Sequence, residues 1–437
     1  MPSRRNRVGL LARVNFPLYT IQMLDSRHIL VGGGGGSANT GISNGFEIFE
    51  LSHDGWNFIA ERVTGHKTDA SVVMNCASYN DGKRIWLVAG QESHCQLYNV
   101  KSTIVPLENG ELLKNTTTTV GGSNNSDGLS GDKLRQRRKS ERIDEKIESL
   151  KQDDNANFTH KKLQFILQPS ISIQTDFTAS EPLQRIVRIS PNGKLMATGG
   201  LDGVIRLWKF PHLEKLHDLK AHTKEIDDID FNSDGNFVAT ISKDGRAIIW
   251  NAIKGIKTDE LSWNTSGNAK YVYKRLRYRI RNEKKSKDQL FTLSNATSSK
   301  NSSYLQLWDI EQGTIIKSAS FNETLSAMAV SDDGKFVAVG TMFSGTIDIF
   351  IAFSLQRVLH VPGAHSMFVT GLEFLPIQLN GPSITSNSEA AVVSISVDNK
   401  ICIHSIPFRH TLPFWLVIIL IILSICGAFI FCSFMGI

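Results

Sequence analysis

Short apolar runs broken by Asn-Gly and Asp-Gly pairs recur along this chain, and they recur in phase. Ile189-Ser190-Pro191-Asn192-Gly193-Lys194-Leu195-Met196-Ala197-Thr198-Gly199 matches Phe231-Asn232-Ser233-Asp234-Gly235-Asn236-Phe237-Val238-Ala239-Thr240-Ile241 and Val330-Ser331-Asp332-Asp333-Gly334-Lys335-Phe336-Val337-Ala338-Val339-Gly340. Each reads as a strand, a tight turn and a strand of small residues. A second turn then leads to a strand that ends in a large aromatic. Asp202-Gly203 precedes Ile205-Arg206-Leu207-Trp208, Asp244-Gly245 precedes Ala247-Ile248-Ile249-Trp250, and Ser344-Gly345 precedes Ile347-Asp348-Ile349-Phe350. Gly193 and Gly235 lie 42 residues apart, as do Trp208 and Trp250, and as do Trp308 and Phe350. A period of about 40–45 residues with four strands per unit predicts the blades of a β-propeller.

The repeats resemble those of WD-repeat propellers in a degenerate form. Only Trp308-Asp309 shows the dipeptide, and His222 and His365 stand where the structural histidine of the repeat falls, as packing and hydrogen-bonding elements. Counting on the period gives an all-β, seven-bladed ring. The first unit runs from Phe16 to Leu51, the second starts near Ala70, the fifth spans Tyr271 to Ser320 and the seventh Phe368 to Ile406. Val8-Gly9-Leu10-Leu11 is expected to pair with the seventh unit, closing the ring and removing an aggregation-prone edge.

Two stretches interrupt the period. Residues 107–161 are polar and then charged, and form an expected solvated, disordered insertion. Their Lys133–Lys139 run resembles a nucleic-acid patch but is offset by Asp144, Glu145, Glu148, Asp153 and Asp154. From Tyr271 to Arg281, aromatic or apolar residues alternate with basic ones, which predicts a strand with one basic face, placed at the outside of its blade.

The end of the chain departs from the propeller pattern. No charged residue lies between Pro413 and Met435, and the run from Phe414 to Leu423 is apolar throughout. About twenty such residues span a bilayer core as a helix. Trp415 takes an interfacial position, and Arg409 and His410 flank the upstream side. The expected organisation is a cytosolic propeller over residues 1–408 and a transmembrane tail anchor over 413–435. Sequons such as Asn115-Thr116-Thr117 and Asn295-Ala296-Thr297 should then stay unmodified. The net charge of +6 is too mild to demand a nucleic acid or acidic surface. Cys76, Cys95 and Cys402 are scattered, without the spacing of a disulfide framework or a zinc site, and read as buried small hydrophobes in a reducing compartment.

Candidate chemistry concentrates between two strands of the first unit. His28-Ile29-Leu30-Val31 and Phe46–Leu51 are joined by Gly32-Gly33-Gly34-Gly35-Gly36-Ser37-Ala38-Asn39-Thr40-Gly41-Ile42-Ser43-Asn44-Gly45. A hairpin needs two to five connecting residues, so this connection is either disordered or functional. It is not a phosphate loop: Ile42 stands where the lysine is required, and a strand follows instead of a helix. No local spacing suggests a nucleophile–base pair. The stretch does offer neutral oxygens, with no carboxylate between Gly32 and Gly45. Such a set suits a monovalent cation better than calcium or magnesium.

This glycine run, continuing through Thr40-Gly41-Ile42-Ser43-Asn44-Gly45, resembles the potassium-binding loop of a family of endoplasmic-reticulum guanine-nucleotide exchange factors. They act on the Sar-type small GTPase and include the animal prolactin regulatory element-binding protein. Ala364-His365-Ser366 and Ile401-Cys402-Ile403-His404, leading to the apolar segment, are similar to the family as well. The resemblance implies a seven-bladed propeller held at the endoplasmic reticulum membrane, which loads the GTPase with GTP and so starts COPII coat assembly. It involves no covalent chemistry. It further implies potassium at Gly33, Gly34, Gly35, Gly36, Thr40 and Asn44, with Ile42, Asn44 and Thr40 facing the GTPase. Two other readings stay open on the residues alone: a membrane-tethered WD-repeat scaffold without exchange activity, and a DNA-binding regulator using the basic run at 133–139.

Overall fold

The computed structural model describes residues 9–36, 41–69, 71–108, 111–112, 161–220, 222–263, 269–279, 288–377, 384, 388–408 and 414–436. Two compact units emerge: residues 1–101 with 167–437, and residues 102–166.

Seven antiparallel sheets succeed one another around a ring, a seven-bladed propeller. The first strand, β1 (Gly9–Arg13), belongs to the last sheet. Blade 1 is β2 (Leu18–Met23), β3 (His28–Gly33), β4 (Gly45–His53) and β5 (Phe58–Lys67). Blade 2 is β6 (Val73–Asn80), β7 (Ile85–Gln91), β8 (His94–Glu108) and, beyond a short β9 (Glu111–Leu112) that pairs with β8, β10 (Lys161–Gln174). Blade 3 is β11 (Gln184–Ile189), β12 (Leu195–Gly200), β13 (Ile205–Lys209) and β14 (Glu214–Leu219). Blade 4 is β15 (Ile226–Phe231), β16 (Phe237–Ser242), β17 (Ala247–Asn251) and β18 (Ile256–Leu261). Blade 5 is β19 (Tyr271–Tyr278), β20 (Gln289–Ala296), β21 (Ser303–Asp309) and β22 (Thr314–Phe321). Blade 6 is β23 (Leu325–Val330), β24 (Phe336–Thr341), β25 (Ile347–Ile351) and β26 (Arg357–Val361). Blade 7 is β27 (Val369–Phe374), β28 (Ser388–Ser396) and β29 (Lys400–Pro407), completed by β1.

The closure expected from Val8–Leu11 is present: Gly9 pairs with Ile403 and Leu10 with Cys402, so the ring has no open seam. The first blade extends past Leu51 to an outer strand, β5. Within the unit of residues 102–166, β8 runs on to Glu108, β9 folds back on it, and the Thr103 hydroxyl donates to the Gln164 carbonyl at 3.4 Å. The expected insertion therefore starts and ends in strand, and its residues 113–160, the basic run 133–139 included, lie outside the described residues.

Each blade places small or branched apolar residues on its two central strands, which pack against the neighbouring blades. Val238, Ile248 and Trp250 of blade 4 meet Ala197, Leu207 and Leu219 of blade 3 in one such cluster. Buried polar groups lock the blades internally. In blade 4, His222 Nδ1 lies 3.0 Å from Asp244, and its Nε2 lies 3.0 Å from the Thr240 hydroxyl, which also accepts the Trp250 indole N–H at 3.0 Å. Blade 7 repeats this with His365 between Asp398 (3.1 Å) and Ser394 (2.8 Å), and His404 replaces the tryptophan at 2.9 Å from Ser394. Both histidines thus serve as hydrogen-bonding elements, as expected. Burial holds His222, His365 and His404 below their ordinary range, the last at about 3. Cys76, Cys95 and Cys402 are free and buried, and burial raises their thiols to about 12.

One expectation is corrected. Residues 280 and 281 lie outside the described residues, and the rest of the basic stretch 271–281 is not at the outside of its blade: β19 is the innermost strand of blade 5, next to β15 and β23. Its arginines face a central cavity of about 310 Å³ lined by the first strand of every blade. Blade 4 holds the basic groups of the strand: Arg277 binds the Asp228 carboxylate at 2.7 Å, Arg275 donates to the Asp227 carbonyl at 3.4 Å, and Lys274 lies 3.7 Å from the Asp227 carboxylate, which also takes Arg185 at 2.9 Å. These charges are neutralised across blades, which suits a role in ring cohesion.

The helix α1 (Phe414–Met435) includes an 18-residue window, Trp415–Cys432, of mean hydropathy 2.9 with no part buried. It is long and apolar enough to cross a membrane.

Candidate functional site

The alternation of strands fixes which loops share a face. In each blade the turn between the second and third strands, and the link to the next blade, lie at one end of the ring; the other two turns lie at the opposite end. The glycine-rich connection joins β3 to β4, so it belongs to the first, or upper, face. Exposed Phe343, between β24 and β25, and exposed Met367, before β27, share that face.

The connection is shorter than the sequence suggests. Gly32 and Gly33 are ladder residues, paired with Phe46 and Gly45. Glycine is required there by close approach: a Cβ on Gly33 would lie 1.9 Å from the Pro17 carbonyl oxygen, and one on Gly45 would lie 2.2 Å from that of His66. The free segment runs from Gly34 to Asn44. Its first turn is pinned by the Gly34 N–H, which donates to the Pro17 carbonyl at 3.1 Å.

Asn44 closes the neck. It is 4 % exposed. Its Oδ1 accepts the Gly36 N–H at 3.0 Å, and its Nδ2 donates to the Gly36 carbonyl at 3.1 Å and to the Asp69 carbonyl at 2.9 Å. Its own carbonyl accepts the Thr68 N–H at 3.1 Å. One side chain therefore ties both ends of the loop to the segment leaving β5. Beneath it, the Phe46 and His66 rings stack at 6.4 Å, and each meets Tyr98 edge-on at 5.7 and 5.6 Å. Burial in this group lowers the His66 pKa against the opposing pull of Asp69, and raises that of Tyr98.

Beyond the neck, Ile42 is 40 % exposed on the loop's second arm, after Gly41 with its φ of 76°. Thr40 lies outside the described residues, with Ser37, Ala38 and Asn39. The expected site residues Gly34, Gly35, Gly36 and Asn44 are thus brought together, with Gly33 set back in its strand. No local pattern points to Pro17, Thr68 and Asp69, which hold the neck through backbone atoms and meet it only when blade 1 is folded.

The described ends of the loop offer neutral oxygens. Among the described residues, the carbonyls of Gly34 and Gly35 accept no hydrogen bond, and no group of three or more His, Cys, Asp or Glu side chains converges as a metal site. Unpaired neutral carbonyls beside a fixed amide are hard ligands without net charge.

Comparison with known proteins places the chain. The WD domain, G-beta repeat family matches residues 178–209 and 213–251, which take in blade 3 and the first three strands of blade 4. The guanine nucleotide-exchange factor SEC12 of Mus musculus is 32 % identical over 425 residues, covering 95 % of this chain and 95 % of that protein. The SEC12 of Rattus norvegicus matches to the same extent. SEC12-like protein 1 of Arabidopsis thaliana is 29 % identical over 196 residues, 44 % of this chain and 46 % of its own. With end-to-end similarity at that level, on a propeller that is followed by an apolar helix, the chain belongs to the SEC12 family of guanine nucleotide-exchange factors.

Proposed function

We propose that this protein releases GDP from a Sar-type small GTPase at the endoplasmic reticulum membrane, and so starts COPII coat assembly. The family supplies exchange on a small GTPase. The observation that carries the assignment to a site is the Asn44 clamp. A long loop closed at its neck by one buried amide presents Ile42 at the surface as a defined element. Pre-organisation of this kind lowers the ordering cost of binding.

Exchange works by differential affinity. A factor that holds the nucleotide-free GTPase more tightly than its GDP form drives GDP out, and GTP then displaces the factor. Ile42 offers the apolar contact, with Phe343 and Met367 available on the same face. Asn44 and the Pro17 carbonyl keep the loop's two ends in place while the partner is engaged. Potassium is the proposed brace, held by the carbonyls of Gly34 and Gly35, with Gly33, Gly36, Thr40 and Asn44 around it. When bound, it would offset the partial negative charge of these carbonyls and stiffen the backbone that carries them. Helix α1 confines the reaction to the membrane where the loaded GTPase is to bind.

Release of fluorescent GDP from a Sar-type GTPase by the full chain in vesicles tests this reading. Full acceleration is expected from the intact protein and little from one in which residues 35–43 are replaced by a short turn. No acceleration by the intact protein would instead support the scaffold reading.

A further inference from the structure

The lower face of the ring carries a feature that exchange does not use. At this end lie the turns between the third and fourth strands of each blade, at the blades' outer rim. Three successive blades, 6, 7 and 1, each expose an aromatic side chain there. Phe353, in the turn between β25 and β26, is 64 % exposed; Phe408, directly after β29, is 53 % exposed; and Trp56, in the turn between β4 and β5, is 86 % exposed.

Two of the rings, Trp56 and Phe353, are held outward by their turns. Asp54 Oδ1 accepts the N–H groups of Trp56 at 2.8 Å and Asn57 at 2.7 Å, which fixes the tip of that hairpin. On either side of Phe353, Ala352 and Leu355 are buried, and the Leu355 N–H donates to the Ile351 carbonyl at 2.9 Å. Phe353 alone of that turn's apolar residues points away from the protein.

What covers them is indicated by where the chain goes next. Strand β29 ends at Pro407 on this face, and α1 starts at Phe414. The six residue steps from Phe408 to Phe414 reach at most about 20 Å even when fully extended. If α1 crosses a bilayer, the middle blade of the three is tethered within that distance of its surface. Aromatic side chains with this placement are favoured at the membrane interface, where an apolar body meets a wet boundary.

We propose that the rim formed by Trp56, Phe353 and Phe408 rests in the interface of the same bilayer that holds α1, so that the propeller stands on blades 6, 7 and 1. This rests on the membrane placement in the proposed function, but not on the loop assignment. The charges on the lower-face turns are of both signs, Asp54 and Asp333 among them with Lys335 and Arg27, so the contact is apolar and does not require anionic lipid. Blade 1 then has Trp56 beyond one end of β4 and the glycine loop at the other. Nine residues of β4 at about 3.4 Å each hold that loop roughly 30 Å from the rim.

The test uses the full chain reconstituted in phosphatidylcholine vesicles, with and without lipid brominated near the headgroup, a short-range quencher of tryptophan. The emission of Trp56 is the difference between wild type and Trp56→Phe, and that of Trp415 the difference from Trp415→Phe. At least half of the Trp56 emission is expected to be lost in brominated vesicles, unchanged between low and high salt. Quenched Trp415 beside unquenched Trp56 would overturn the rim contact and leave the membrane placement standing; quenching of neither would overturn both. Photoactivatable lipid gives a second readout, with labels expected at Phe353 and Phe408. Equal labelling of Phe343 on the upper face, or of Ile253 on blade 4 of the lower face, would refute a contact confined to this rim. If shielding of Trp56 follows protein density and not bromination, a second copy covers it and the proposal fails.

Discussion

Asn44→Ala isolates the neck of the glycine loop from the rest of blade 1. The substitution deletes three hydrogen bonds, to the Gly36 N–H, the Gly36 carbonyl and the Asp69 carbonyl. At about 1 kcal/mol net per bond, the neck loses on the order of 3 kcal/mol relative to an open loop. That much shifts a two-state equilibrium by roughly a hundredfold. Apparent affinity for the partner scales with the fraction of loop in its competent form. GDP release from the Sar-type GTPase is therefore expected to fall at least tenfold. The ring itself is untouched, since the cost is that of local opening, and the melting temperature should move by only a few degrees. Asn44→Asp is the control on the cause. It places an oxygen against the Gly36 and Asp69 carbonyls where Nδ2 donated, so it should lose as much activity as the alanine variant although its size is preserved. The assay is fluorescent GDP release with near-ultraviolet circular dichroism as the fold check. Unchanged release by a folded Asn44→Ala protein would refute the clamp and the loop assignment with it.

Gly34→Ala places a Cβ 2.0 Å from Asn44 Oδ1 at a φ of 145° and should cost as much exchange as Asn44→Ala, whereas Gly36→Ala meets no atom within 4 Å and bears only backbone strain, so its loss should be smaller; parallel exchange assays compare them. Replacing potassium with tetramethylammonium should slow GDP release and speed proteolysis between Gly35 and Ser43, and indifference of both would argue against an ion at the Gly34 and Gly35 carbonyls. His404 has its pKa lowered from 6.5 to about 3 by burial, with His365 adding to the effect, so its stabilising contribution is full above 6.5 and is lost as pH falls from there towards 3. Its Nδ1 is buried without a partner, so protonation puts an unpaired N–H in the core, and His404→Gln should lower the acid-unfolding midpoint seen by circular dichroism.

The fold was legible because its repeat is written in local chemistry. Asn192-Gly193, Asp234-Gly235 and Asp333-Gly334 each make the turn that their spacing predicts, and Gly193, Gly235 and Gly334 take positive φ there. What the local pattern cannot show depends on partners distant in sequence. The alternation of β19 predicts a strand with one basic face but cannot say what that face meets. Asp227 and Asp228, more than forty residues upstream, draw it into the central cavity. The glycine run reads as one fourteen-residue connection because a glycine needed for freedom and one needed for close approach look alike. Only the folded blade brings the Pro17 and His66 carbonyls against Gly33 and Gly45.

This division of the glycines bears on how the loop can work. A connection of fourteen freely rotating residues would lose much of any contact energy in being ordered, at about 1 kcal/mol or more per residue. Here Gly33 and Gly45 are already ladder partners, Gly34 is held by Pro17, and Gly36 and Asn44 hold each other. Seven residues, 37–43, separate Gly36 from Asn44, a span short enough for a single ion and one partner surface to fix. The same strand that receives Asn44 continues as β4 to the turn bearing Trp56. A blade anchored at that lower end would present the loop at a set height, so its reach toward a membrane-bound GTPase would be determined by β-strand length and not by the motion of a tether.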